Sequence, residues 1–353
     1  MHSVLINKKR VEKMSGIWTI VAAALSFAMS GVLGIWLVPY LRKKHFGQTI
    51  LEEGPKWHQG KQGTPTMGGF MFIAASIVVT LICVILFHIT GTDSRGIAPE
   101  TTLQSAKIYA GLFMAVCYGA IGFLDDYVKV AKKRNLGLTP KQKLVLQFAV
   151  AAAYLFTMYL FGDKTETFIP FYGMLDIGVL YYPIAAILIV GIVNAVNLTD
   201  GIDGLDGSVT FFAGIFLMMI AGYCGRTGLS VMAASIAGGC LGFLIWNFNP
   251  AKTFMGDTGS LYLGGYLCAL LFGLDMEIFL IPIGFVYIAE MFSVIIQVTY
   301  FKITKGKRLF KMSPIHHHFE MCGWSEVKIV VVFSLVEAFF GALSLLLVLT
   351  GKK

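Results

Sequence analysis

Residues 67–89, MGGFMFIAASIVVTLICVILFHI, form an apolar run without a single Asp, Glu, Lys or Arg. A helix needs about 20 apolar residues to cross the hydrocarbon core of a bilayer, because unsatisfied backbone polar groups are too costly there. This run is long enough to cross it. The stretch therefore predicts a transmembrane helix, and it shows the pattern to look for in the rest of the chain.

Nine further runs of this kind bring the predicted number of spans to ten. They lie at about residues 17–40, 106–124, 143–161, 178–197, 208–223, 229–248, 258–274, 278–300 and 328–350. The runs at 208–223 and 258–274 are short and rich in glycine, so eight or nine spans remain possible if one of them is re-entrant. Neither an internal repeat nor a Pro- or Ser-rich linker divides the chain, so residues 1–353 are predicted to form one domain.

The composition agrees with an all-α polytopic membrane protein. Of the 353 residues, 56% are hydrophobic and only 14% are charged, against roughly 25% charged residues in soluble proteins. A water-soluble enzyme and a disordered chain are thereby excluded. Six cysteines are too few for a disulfide scaffold and have no paired metal spacing, so they are predicted to be packing thiols. The net charge of +8 fits basic loops facing anionic lipid better than a nucleic-acid partner.

The distribution of Lys and Arg predicts how the spans are oriented. The odd-numbered loops carry 17 of these residues and the even-numbered loops carry four, or ten when both tails are included. Cytoplasmic loops are the ones enriched in Lys and Arg. The odd-numbered loops are therefore predicted to be cytoplasmic and both termini extracytoplasmic.

The remaining polar residues cluster in four of the predicted cytoplasmic loops. The clusters are DDYVK at 125–129, NLTDGIDGLDG at 197–207, the segment 247–260 that ends in FMGDTGS, and PIHHHFE at 314–320. Carboxylates, amides and imidazoles converging on one membrane face fit a site for an anionic, metal-bound substrate.

Two of these clusters contain unusual acidic patterns. Asp125 and Asp126 end a predicted helix, where the helix dipole disfavours negative charge, so they are either a solvated helix boundary or are compensated by a metal or by Lys129 and Lys133. The three-residue period of DGIDGLDG differs from an EF-hand, whose ligands alternate and end in a Glu. Such a period places the carboxylates on one side of a helical turn, which favours a binding surface.

The other two clusters are less specific. Gly256 and Asp257 begin a predicted helix, a natural position for a phosphate or a metal-bound phosphate, and Phe254 beside them is either core or a stacking platform for a base. Three consecutive histidines are not a zinc pattern, so hydrogen bonding to phosphate or sugar is the better interpretation. Glu290 and Glu337 fall mid-membrane, where an acidic group indicates either function or, as we favour here, a hydrogen-bonded contact within the bundle.

Together these motifs resemble those of the polyprenyl-phosphate N-acetylhexosamine-1-phosphate transferases. The resemblance covers essentially the whole chain, including KQGTPTMGG at 61–69 in the first predicted cytoplasmic loop. Relatives that transfer GlcNAc phosphate tend to have a third Asp in place of Lys129 and lack the HHHFE run. The chain is therefore more similar to the members that use UDP-MurNAc-pentapeptide.

The resemblance implies an Mg²⁺-dependent enzyme of peptidoglycan synthesis in the bacterial plasma membrane, with its active site on the cytoplasmic face. It would transfer phospho-MurNAc-pentapeptide from UDP-MurNAc-pentapeptide to undecaprenyl phosphate, giving lipid I and UMP. The alternatives are a GlcNAc-1-phosphate transferase for another surface polymer and, in a different class, a secondary transporter, whose binding residues would lie nearer the midplane. Gly238 and Gly242 permit close helix packing within one chain or in a homodimer.

The resemblance also implies a role for each site residue. Asp257 would bind Mg²⁺, Asp125 would deprotonate or orient the attacking lipid phosphate, and Asp126 would support the metal site or the lipid-phosphate site. A two-step route through a covalent phospho-enzyme is the alternative. The substrate-binding set would comprise Lys61, Thr66, Lys129, Lys133, Asn197, Asp200, Asp203, Asn247, Phe254, Gly256, His316, His317 and His318.

Overall fold

The computed structural model describes residues 2–44, 61–92, 102–131 and 137–351. These residues form twelve α-helices: α1 (His2–Lys43), α2 (Phe70–Thr92), α3 (Thr102–Ala131), α4 (Pro140–Leu160), α5 (Tyr181–Thr199), α6 (Leu205–Tyr223), α7 (Thr227–Asn247), α8 (Gly256–Gly273), α9 (Leu280–Ile283), α10 (Phe285–Ile303), α11 (Ile315–Met321) and α12 (Glu326–Gly351). A hairpin of two short antiparallel strands, β1 (Glu166–Ile169) and β2 (Gly173–Asp176), separates α4 from α5.

Within the described residues, nine helices are long and apolar enough to cross a membrane, which confirms the all-α polytopic class. They are α1 from Gly16 onward, α2 to α7, α10 and α12. The predicted span at 258–274 corresponds to α8, which is not among the nine because glycines and polar residues lower its hydropathy. Helix α8 nevertheless begins beside Asp126 of α3, which accepts from the N–H of Asp257, and ends just before Asp275, which pairs with Lys107 at the other end of α3. It therefore runs the length of the bundle, as the predicted span at 258–274 requires, and is not re-entrant.

Helix α8 is the core of the bundle. Every residue from Thr258 to Gly273 is buried, and α8 packs against α3 and α5. Glycines make this close approach possible. A Cβ on Gly122 of α3 would lie 2.0 Å from the carbonyl oxygen of Asp257, and one on Gly264 would lie 2.6 Å from Cα of Val193. The packing of α8 against α3 therefore depends on the missing side chain at Gly122.

Gly238 and Gly242 are used inside this chain. A Cβ on Gly238 would lie 2.1 Å from the carbonyl oxygen of Ala23, and one on Gly242 would lie 2.4 Å from that of Phe27. Because the later residue of α7 contacts the later residue of α1, the two helices run parallel. The pair therefore serves a contact within the protein, as the sequence allowed.

The hairpin lies at the end of the bundle away from the acidic residues of α3. There the largely buried Lys107 pairs with Asp163, at 2.9 Å, and with Asp275. Arg226 lies 3.8 Å from the same Asp275. These ion pairs join α3 to three of the connections at this end of the bundle.

The six cysteines are all free. Cys83, Cys240 and Cys268 are buried, as expected for packing thiols, whereas Cys322 is exposed. The prediction of a packing role is therefore wrong for Cys322, which follows α11 on the surface.

Candidate active site

Three carboxylates from two helices meet at one end of the bundle. Asp125 and Asp126 lie near the C-terminal end of α3, and Asp257 lies in the first turn of α8. One carboxylate oxygen from each lies within 4.8 Å of the other two, so the three could hold one metal ion. Oxygen ligands of this kind suit Mg²⁺. The close contact of Gly122 with the start of α8 brings them together.

Two lysines neutralise this group of acids. The Nζ of Lys129 lies 2.6 Å from Oδ2 of Asp125 and 3.1 Å from Oδ2 of Asp257. The Nζ of Lys143 lies 2.7 Å from the same oxygen of Asp257. Burial alone would raise the pKa of Asp257, but the ammonium groups of Lys143 and Lys129 hold it well below its usual range.

Lys143 was missing from the predicted site. It lies in the first turn of α4, where the helix dipole disfavours positive charge. The same argument that singled out Asp125 and Asp126 at the wrong end of α3 could have found it. Lys133, in contrast, lies outside the described residues.

Asp126 is held by the N-terminus of α8. Its Oδ2 accepts hydrogen bonds from the backbone N–H of Thr258, at 2.9 Å, and from the Thr258 hydroxyl, at 2.7 Å. Its Oδ1 accepts a longer one, 3.3 Å, from the N–H of Asp257. A carboxylate at this position satisfies helix N–H groups that lack partners within the helix and is favoured by the helix dipole. Asp126 thus fixes the place of Asp257.

Gly256 permits this arrangement. Its φ is +71°, a conformation that favours glycine. A Cβ at this position would also lie 2.5 Å from both Oδ2 of Asp126 and Oγ1 of the buried Thr66. The predicted substrate residues Gly256 and Thr66 are therefore packed directly against the carboxylate group.

The end of α5 contacts the same acids. The Nδ2 of Asn197 lies 2.9 Å from Oδ1 of Asp257 and 2.8 Å from Oγ of Ser260. Asp200 follows α5, and its pKa is raised to about 8 by burial and then by the carboxylates of Asp257, Asp126 and Asp203. Burial is the larger cause and the neighbouring carboxylates add to it, so a cation bound beside Asp200 would lower this pKa.

A second ionic group lies beside the first. The Nζ of Lys61 donates to Oδ1 of Asp203 and to Oε2 of Glu326, both at 2.6 Å. Oδ2 of Asp203 accepts from the backbone N–H of Ala251, at 2.9 Å, and from the amide of Asn249, at 3.2 Å. Glu326 was not among the predicted site residues, because an acidic residue in the first turn of a helix is favourable there without a further partner.

The segment between α7 and α8 is joined to its neighbours by backbone contacts. Asn247 accepts from the N–H of Gly204, at 3.1 Å, and donates to the carbonyl oxygen of Thr253, at 3.0 Å. The backbone of Phe254 pairs with Pro65 and Gly68, both at 2.8 Å. Asn247 therefore braces two loops, while the ring of Phe254 is half-buried.

His316 reaches the loop that carries Asp200. Its buried Nδ1 lies 3.1 Å from Oε1 of the fully buried Glu290, and a Cβ on Gly201 would lie 2.2 Å from its Nε2. The Oε2 of Glu290 accepts a hydrogen bond from the backbone N–H of His316 at 3.4 Å. Glu290 thus makes a hydrogen-bonded contact within the bundle, in agreement with the interpretation favoured from the sequence.

The other two histidines have partners close to them in the chain. The Nδ1 of His317 lies 2.6 Å from Glu320. The Nδ1 of His318 accepts from the backbone N–H of Lys311, at 3.1 Å. The three adjacent rings therefore have three different sets of contacts.

Known proteins match this chain over most of its length. The model of glycosyl transferase family 4 matches residues 108–274, which include all three clustered aspartates. A phospho-N-acetylmuramoyl-pentapeptide-transferase of Heliobacterium modesticaldum is 45% identical over 332 residues, covering 93% of this chain and 97% of that protein. Proteins of the same name from Bacillus mycoides and Halalkalibacterium halodurans are 45% and 42% identical, over 89% and 92% of this chain and 93% and 95% of theirs.

Proposed function

Because this chain belongs to the phospho-N-acetylmuramoyl-pentapeptide transferase family, we propose that it transfers phospho-MurNAc-pentapeptide from UDP-MurNAc-pentapeptide to undecaprenyl phosphate. The products are lipid I and UMP, and the reaction serves peptidoglycan synthesis. The observation that carries the proposal is the group of Asp125, Asp126 and Asp257, which forms ion pairs with Lys129 and Lys143. Phosphoryl transfer needs such positioning and charge neutralisation more than covalent chemistry.

The carboxylates fit a resident Mg²⁺. Asp257 would bind it, with Asp125 as the neighbouring ligand, because their oxygens lie close together. When bound, the ion would neutralise the diphosphate and stabilise the leaving UMP. Asp126 holds the start of α8 by its hydrogen bonds to Thr258.

Asp125 and the two lysines would receive the lipid phosphate. The Oδ1 of Asp125 accepts from the N–H of Leu138 at 2.8 Å, which fixes the carboxylate while its Oδ2 faces Lys129. From there Asp125 would orient or deprotonate the attacking phosphate. Lys129 and Lys143 would exchange carboxylate partners for phosphate oxygens.

The nucleotide would lie between the two ionic groups. Asn197, Asp200 and Phe254 would hold the uridine end and the diphosphate, while Lys61, Asp203 and His316 would frame the polar cleft. The half-buried Phe254 and the partly exposed side chain of Lys61 support this placement. Thr66, Asn247 and Gly256 would shape the wall by their backbone and packing contacts.

We also propose that this end of the bundle faces the cytoplasm. A soluble, highly anionic nucleotide and a membrane-bound lipid phosphate can meet only at a membrane surface, and the Lys and Arg distribution favours the cytoplasmic one. At the opposite end, α12 stops beside the hairpin, where the N–H of Phe171 donates to the carbonyl oxygen of Gly351 at 3.1 Å. Both termini would then be extracytoplasmic, since α1 runs beside α7 in the same direction.

The test is transfer of label from UDP-MurNAc-pentapeptide into organic-extractable lipid by the purified protein with undecaprenyl phosphate and Mg²⁺. We expect transfer with release of UMP, and Asp257→Asn to lower it by about 10²-fold or more, even at high Mg²⁺. Asp176→Asn on the hairpin is the matched control and should leave the rate unchanged. Near-normal turnover of Asp257→Asn would contradict the metal assignment.

The same assay separates the alternatives. Preferential transfer from UDP-GlcNAc would favour a GlcNAc-1-phosphate transferase. Failure to transfer from any UDP-sugar would favour a transporter.

A further inference from the structure

Glu326 lies in the first turn of α12, outside all of the sequence motifs discussed above. We propose that Glu326 is a positioning residue that holds Lys61 in place for the anionic part of the nucleotide substrate. This inference rests on the proposed function, because it concerns the same site.

Glu326 joins three other segments of the chain through one oxygen. Its Oε2 accepts from Nζ of Lys61 at 2.6 Å, from the backbone N–H of Asp203 at 3.1 Å and from Nδ2 of Asn249 at 3.4 Å. These donors come from the segment before α2, the loop after α5 and the loop after α7. A single carboxylate therefore sets the distances among the three segments that border the proposed nucleotide site.

Lys61 needs such a partner. A lysine side chain has a flexible four-carbon stem, and holding its ammonium in one place costs considerable rotamer entropy. Here the ammonium is held from two sides, by Oδ1 of Asp203 and by Oε2 of Glu326. Because charge-assisted hydrogen bonds are short and strong, the two together restrict the position of the ammonium.

Asp203 and Glu326 differ in how they are held. Asp203 is 2% exposed and is fixed by Ala251 and Asn249. The side chains of Lys61 and Glu326 are 19% and 13% exposed, so this pair lies at the rim of the group. The side chain of Lys61 can therefore contact an anionic ligand that enters from solvent. The buried Asp203 anchors the Lys61 ammonium on its inner side, and Glu326 sets the direction of the lysine side chain.

The experiment measures steady-state rates of the full-length protein in detergent micelles, varying UDP-MurNAc-pentapeptide and undecaprenyl phosphate separately. We expect Glu326→Ala to raise the KM for the nucleotide substrate about tenfold, with kcat and the KM for the lipid within twofold of the unmodified protein. A merely structural defect would lower kcat or change both KM values. An unchanged nucleotide KM in Glu326→Ala would overturn the inference.

A double-mutant cycle with Lys61→Ala tests whether Glu326 acts through Lys61. We expect the double variant to have the nucleotide KM of Lys61→Ala alone, within twofold, because Glu326 has then lost the group that it positions. Effects that multiply would show that the two residues act independently, and the inference would be wrong.

Two further variants keep the test decisive. Glu166→Ala removes a partly exposed glutamate of β1, paired with Lys164 at the other end of the bundle, and should leave all kinetic constants unchanged. If Glu326→Ala does not fold, Glu326→Asp replaces it, since this change keeps the charge but withdraws the carboxylate by about 1.5 Å. We expect it to raise the nucleotide KM about threefold, and an unaltered KM would overturn the inference.

The unmodified protein distinguishes the two levels of failure. If it transfers nothing from UDP-MurNAc-pentapeptide, the proposed function fails and this inference fails with it. If it is active but the Glu326 variants retain its nucleotide KM, only the role of Glu326 is wrong.

Discussion

Single residues at this site serve either the reaction or the geometry that the reaction needs. Asp257 faces two lysines and an asparagine, whereas Asp126, next to Asp125 in sequence, points both oxygens at the N-terminus of α8. Adjacent residues on a helix point in directions about 100° apart, since 3.6 residues make a turn. Asp125 and Asp126 therefore have different roles although they are adjacent in sequence. Asp126 acts by fixing the position of Asp257.

Lys143 provides a prediction at the residue scale. Lys143→Met keeps the apolar stem but removes the charge that lies 2.7 Å from Asp257, so the carboxylates lose a counterion and the phosphates lose a donor. We expect kcat/KM for label transfer to fall by about 10²-fold. Lys141→Met, on the same turn but exposed, is the matched control. Equal activity of the two variants would contradict a role for Lys143.

Between elements, the contact of α3 with α8 decides whether the site exists. The acidic residues belong to different helices, and their oxygens come within 4.8 Å only because Gly122 lets the start of α8 approach α3. The capping box of Thr139 and Gln142 similarly fixes where α4 begins, and with it the position of Lys143. Helix packing and capping thus set the geometry of the charges.

Gly122→Ala tests this contact. The added Cβ would lie 2.0 Å from the carbonyl oxygen of Asp257, so the two helices must separate. We expect most of the transfer activity to be lost and the Tm in detergent to fall by several degrees. Gly191→Ala in α5 is the matched control, because a Cβ there meets nothing within 4 Å, and it should retain activity and Tm. Normal activity of Gly122→Ala would show that the approach of α3 and α8 is not required.

At the scale of the whole molecule, charges are concentrated at the two ends of the apolar bundle. The acidic and basic residues of the candidate site lie at one end, and Lys107, Asp163 and Asp275 lie at the other. A bundle with two charged ends and nine apolar helices fixes the direction normal to the membrane. Which end faces the cytoplasm is a matter of topology that labelling can measure.

The exposed Cys322 reports the side on which the site lies. In a Cys224→Ser background, a membrane-impermeant maleimide should label Cys322 only after intact spheroplasts are permeabilised. Tyr172→Cys, placed in the exposed hairpin of a chain lacking both Cys224 and Cys322, should be labelled before permeabilisation. The reverse pattern would show that the candidate site faces outward.

Much of this molecule is predictable from its sequence because the bilayer imposes simple rules. Long apolar runs must be helices, and a charge placed at the unfavourable end of a helix needs a partner. These rules located the helices and the motifs that contain Asp125, Asp126 and Asp257. They did not identify Glu326, because an acidic residue in the first turn of a helix is favourable and needs no partner. The rule on charge at the unfavourable end of a helix would have identified Lys143, which lies in the first turn of α4.

By itself, then, the sequence determined the all-α membrane class, the motifs and the resemblance to one family of transferases, because hydropathy, helix period and motif spacing are local properties. Only the tertiary structure decided that α8 is a buried core helix, that Asp126 holds its N-terminus and that Lys61 is fixed by Asp203 and Glu326. These facts depend on contacts between residues more than 100 positions apart in the chain. Such contacts follow from how glycines let helices approach, which local patterns in a single sequence do not specify.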